Sequence, residues 1–485
     1  PERAWRLTPR QINEEVARLF GAGAPTLNVP PGAPESGITN ISANGVVDLG
    51  NAQYFLDGAR AIGTWVTTQR EAATRCQPYG DSRCVDTMLG WLLGGAFRRP
   101  VSAAETAEYR ALFDDLSAAY DYDYALSGVV RAVVLSPEFL YRTEIGAGGV
   151  LGPHELANLL SYAITDRSPD QELLAAADRN ELGTPDQREA WVRKLMATSG
   201  PAWRRFFWEW LAMETLGSQA AEVGLAPALV TQMEEEYAAF VEDIAVAQRG
   251  GLRDMLTAPH TFVGPELAQH YGVTHPGGGV ARVEVGGAER AGLLTQGAWL
   301  VSHGKRGKDN VVRRGMNLFK QAMCNNNLAP PEGLDVNAEL LALVGPDATV
   351  REVVDARGSS PTCGACHSVA DPMGIVFESF ASDARRQTVY PSGHPVDTAV
   401  DVGGQTLTSA AAYVSHLADD TDLQNCFVRR VTHYLVGADM GSPNAAAWVN
   451  EARARFLDSD TSLEELVVAI VRHPAFVERQ KEISP

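Results

Sequence analysis

Apolar positions at helical spacing run through most of the chain. In "WRLTPRQINEEVARLFG", Ile12, Val16, Leu19 and Phe20 form one stripe, Thr8 stands where an N-cap belongs, and Pro9 suits a first turn. Residues 21–48 are rich in Gly, Pro, Asn and Ser and read as a long loop. Helical periodicity returns at 51–73 and again in "DTMLGWLLGGAFRRPVSAAETAEYRALFDDL" and "DYALSGVVRAVVLSPEFLYRTE". There Ser102 with Glu105 makes a capping box, and Pro137 marks a helix start or kink. A Gly-rich linker near 146–152 separates this half from a second helical stretch, Pro153 to about 260. In that stretch Phe206, Phe207, Trp210 and Leu211 make an aromatic stripe expected in the core. Residues 273–290 carry the one good strand signal, a short alternating Val run between glycines, read as a β-hairpin. Helices are expected again at 291–323 and from about Leu407 to Lys481. The fold class is therefore mainly α.

Composition narrows the function classes. Hydrophobic content of 45% and charged content of 21% are those of a globular protein, and 485 residues suffice for several domains. A net charge of −19 repels phosphate backbones and argues against a nucleic-acid partner. No apolar run approaches the roughly 20 residues that span a bilayer. The opening "PERAWRLTPRQ" is not a signal peptide, and a start at Pro1 leaves room for a removed leader that attached the protein to a surface. GxGxxG, P-loop, HExxH and GxSxG motifs do not occur, which weakens nucleotide, zinc-protease and serine-hydrolase readings.

Six cysteines stand at 76, 84, 324, 363, 366 and 426. "CQPYGDSRC" is a turn-rich loop closed by Cys76 and Cys84, read as a disulfide with two unrelated thiols as the alternative. "PTCGACHSVADPMG" contains C-x-x-C-H, the c-type haem attachment signature. Two thiols three apart can form thioethers with the two haem vinyl groups, and the next residue's imidazole can then reach the iron. At this cysteine and histidine content a chance match is expected on the order of 10⁻³ times. A thioredoxin-like site wants a βαβ context that is missing. A zinc site wants two further ligands, which Cys324 and Cys426 supply only in principle, and a disulfide across four residues is strained. The reading is one haem c on Cys363 and Cys366, with His367 as axial ligand. A Pro-Gly loop after His367 is expected to offer a carbonyl to its Nδ1–H; Asp371 capping that turn is the alternative. Distal candidates are Met440, His303, His433 and His394, each also readable as a packing or surface residue, and Met373 is expected on the proximal side.

These phrases together resemble the large haem-c proteins of planctomycetes and myxobacteria, built from five concatenated domains of unknown function. "FRRPVSAAETAEYRALF" resembles the second module, "LGPHELANLLSYAITDRSPDQELLAAADRNEL" the third, "VVRRGMNLFKQAMC" with "CGACHSVADPMGIVFESF" the fourth, and "LQNCFVRRVTHYLVGADM" the fifth. The resemblance implies five modules at 1–75, 76–148, 149–290, 291–406 (bearing the haem) and 407–485. It implies a Cys324–Cys426 disulfide alongside Cys76–Cys84, and a haem-propionate contact for Arg314 of the Arg-Gly pair Arg314-Gly315. It implies a periplasmic, secreted or cell-surface protein. The favoured function is a haem-c oxidoreductase, peroxidase-like, acting on a small molecule. The alternatives are an electron-transfer cytochrome with six-coordinate haem that meets a redox partner protein, and a surface binding or scaffold protein containing haem.

Overall fold

Local signals start most of the helices. The computed structural model describes residues 3–32, 38–40, 47–76, 82–286, 289–306, 310–325, 344–345, 347–437 and 443–479. Thr8 accepts from the Gln11 amide while Gln11 reaches back to the Thr8 amide, and the helix Pro9–Phe20 buries Ile12, Val16, Leu19 and Phe20. Ser102 and Glu105 make the same reciprocal pair at the start of Ala103–Ala119. Ser136 caps the short helix Pro137–Leu140. These caps satisfy amides that have no partner within the helix. The structure is mainly α-helical with short two-stranded antiparallel sheets.

The chain divides into two compact units. The first comprises 1–195, 433–439 and 470–485. Its core gathers Leu7, Ile12, Val16, Phe55, Ile62, Leu89, Leu92, Val129, Val133 and Phe139 from several helices. Here "LYRTE" departs from the helical expectation: Tyr141–Glu144 is a strand that pairs with Arg3–Arg6 in antiparallel register. The fully buried Glu144 carboxylate anchors it, taking charge-assisted hydrogen bonds from Arg3 (2.8 Å) and Arg479 (2.7 Å).

The second unit comprises 196–432 and 440–469. The aromatic stripe is core, as its spacing predicts: Phe206, Phe207 and Trp210 are buried and pack on Phe427, which meets Phe456. The strand signal near 281 is real, but its partner lies outside 273–290. Ala281–Glu284 pairs with His260–Val263, across the helix Pro265–Tyr271. A third ladder, Val400–Val402 with Gln405–Leu407, turns through Gly403 and Gly404, both at positive φ. Its alternating "VDVGGQTL" is the Gly-Gly hairpin signature, a second strand signal besides that near 281. Among the described residues no helix is long and apolar enough to cross a membrane.

Candidate haem-attachment site

The C-x-x-C-H segment forms the start of a helix. Ser360 shapes the entry, its hydroxyl accepting from the Thr362 and Cys363 amides. Cys363 stands at the N-cap position of Gly364–Ile375, and the Cys366 and His367 amides both donate to its carbonyl. Both thiols are unpaired and partly exposed. Cys324 and Cys426 are joined to each other, as are Cys76 and Cys84. That removes the two cysteines a zinc site would need, and among the described residues no cluster of three or more His, Cys, Asp or Glu side chains is arranged to hold a metal ion.

The environment of His367 corrects one expectation. The helix continues through Pro372 to Ile375, so no Pro-Gly loop faces the ring. Instead Asp371, four residues on and therefore on the same helical face, meets Nδ1 through Oδ1 at 2.8 Å. The other oxygen of Asp371 accepts from Arg357 Nε at 2.8 Å. Asp371 is fully buried and Arg357 nearly so, whereas His367 retains 19% of its side-chain exposure. Nδ1 is thus engaged, and among the described residues nothing bonds Nε2. The donor set fits haem c: two free thiols on one turn, then an imidazole whose second nitrogen is open.

Glycines fix this helix in place. A Cβ on Gly374 would lie 1.9 Å from the Val311 carbonyl oxygen, and one on Gly315 would lie 2.0 Å from that of Ala370. Val311–Asn317 and Gly364–Ile375 therefore cross almost backbone to backbone. On the other side, a Cβ on Gly364 would come within 2.6 Å of the Gly358 carbonyl oxygen, at the end of the helix Val350–Ser359 that carries Arg357. Arg314 completes the clamp and does not reach outward. Its Nη1 donates to the Phe377 (2.8 Å) and Phe380 (2.7 Å) carbonyls, and its Nη2 to those of Ala381 (3.0 Å) and Leu300 (3.4 Å). The side chain is fully buried, and burial lowers its pKa to about 10. The expected propionate contact gives way to a structural role: holding the chain that leaves the thiol helix.

Met373 lies six residues past His367, about 240° around the same helix, so the two side chains leave on different faces. His303, in the second unit, bonds the Leu211 carbonyl through Nε2 at 3.0 Å, and burial lowers its pKa to about 4. His394 sits in the turn after Tyr390, whose amide donates to its carbonyl. His433 is buried and belongs to the first unit, and Met440 lies outside the described residues. Asp371 carried only a capping role in the sequence reading, and Arg357 was missed. Fourteen positions and a helix boundary separate the two, and no sequence pattern signals such a pair.

Three stretches of the chain match known family models. Residues 84–144 match a protein of unknown function (DUF1595), residues 151–273 another (DUF1592), and residues 290–389 a third (DUF1588). No curated protein and no solved structure matches the chain. The chain thus carries, in this order, three stretches similar to families of unknown function: DUF1595, DUF1592 and DUF1588.

Proposed function

We propose that this is a c-type haem protein working outside the cytoplasm as an oxidoreductase on a small molecule. Cys363 and Cys366 would hold one haem through thioethers, and His367 would offer it Nε2. The observation that carries the reading is a contrast between cysteines. Four are paired in disulfides, as suits an oxidising compartment, while the two that precede His367 are unpaired and accessible. Thiols left free in such a compartment are accounted for when a cofactor caps them. Bound haem supplies an iron centre that exchanges one electron. Around it, the chain's own part is to fix the imidazole through Asp371 and to hold the thiol helix between its two neighbours.

An enzyme is favoured over a carrier because a carrier needs only about 100 residues to cover one haem, and this chain has 485. Optical spectra of the oxidised and reduced holoprotein, with and without cyanide and CO, test the choice. The enzyme reading predicts that both ligands change the spectra, because an open iron position accepts them. A low-spin spectrum indifferent to both contradicts it and favours the six-coordinate electron-transfer protein.

A further inference from the structure

We propose that Asp371, held by Arg357, is a positioning residue that makes His367 an unusually strong electron donor and lowers the reduction potential of the iron. The inference rests on the haem reading above and adds the sign of the potential. The Asp371 carboxylate is fully buried and is shared between two partners: Arg357 Nε at 2.8 Å on one oxygen and His367 Nδ1 at 2.8 Å on the other. A buried carboxylate keeps its charge only with such partners. A carboxylate facing the outer nitrogen of a ligating imidazole fixes the ring and tautomer and raises the basicity of the nitrogen that binds metal. A neutral backbone carbonyl, which the sequence led us to expect, would supply less electron density. Added negative charge behind the imidazole favours the more positive iron, so the ferric state gains.

Two features make the arrangement durable. His367 and Asp371 are four residues apart on one helix, so the backbone sets their spacing. Arg357 comes from the helix packed against it, where Gly358 and Gly364 allow close approach.

The test uses the holoprotein and Asp371→Asn, which keeps an oxygen for Nδ1 but removes the charge. With haem retained on a denaturing gel, the ferrous-to-ferric ratio at a fixed applied potential should rise about tenfold, a shift of about 59 mV upward for one electron. An unchanged or lowered potential with haem retained overturns the inference and leaves the haem assignment standing. A parent chain without haem stain overturns the assignment itself. A second measurement needs no variant. In the parent, the iron–histidine stretch recorded after CO photolysis should lie above that of an imidazole bonded to a neutral carbonyl; a frequency at or below it contradicts the proposal.

Discussion

Burial sets the protonation of one carboxyl in the second unit. Glu236 is fully enclosed, and desolvation raises its pKa to about 7 even though Tyr271 (2.6 Å) and Thr261 (2.7 Å) donate to it. The folded chain therefore binds this proton more tightly than the unfolded chain, whose carboxyl titrates near 4.5. The resulting stability is fully present below that ordinary value and is lost as pH rises through about 7. Glu236→Gln should flatten this dependence, which amounts to about 3 kcal/mol at most. Denaturant melts at pH 4.5 and pH 7.5 check it, and a variant that keeps the parent's slope contradicts the assignment to Glu236. At this scale the sequence was uneven. Cys363, Cys366 and His367 are legible because they fall within five consecutive residues. The Arg357–Asp371 pair and the carbonyl cage around Arg314 are not, because their partners come from separate segments that only the fold brings together.

Among the elements, the crossing of Val311–Asn317 with Gly364–Ile375 has the least tolerance. With a Cβ on Gly315 or Gly374 the backbones must separate, since each would meet a carbonyl oxygen at about half the normal contact distance. Gly315→Ala should cost about 3 kcal/mol or more; an unchanged melting temperature would show that the helices can part at no cost. Gly94, whose Cβ would meet nothing within 4 Å, serves as the control: Gly94→Ala should leave stability unchanged or raise it. Helix starts were legible in the sequence because capping is local, as at Thr8 and Ser102. Strand partners were not. Ala281–Glu284 carries a readable alternation, but its partner His260–Val263 precedes an intervening helix, and the strand Tyr141–Glu144 is fixed by pairing with the chain's beginning.

For the molecule as a whole, the mainly α class follows directly from periodicity, whereas the division into two units does not. Residues 433–439 and 470–485 belong with the first 195, a grouping set by contacts between distant parts of the chain. The Cys324–Cys426 disulfide closes a loop of 102 residues in the second unit, and Cys76–Cys84 one of 8 in the first. On the chain-entropy account the longer closure restricts the unfolded chain by about 2 kcal/mol more. All four of these cysteines are spoken for, which leaves Cys363 and Cys366 as the pair able to hold a cofactor. The most direct test is the intact mass of the chain, unfolded and reduced, after production in cells able to attach haem. The account predicts the mass of the polypeptide plus one haem, lost when both Cys363 and Cys366 are changed to Ala. A parent chain at the bare polypeptide mass, with both thiols open to alkylation, would contradict it.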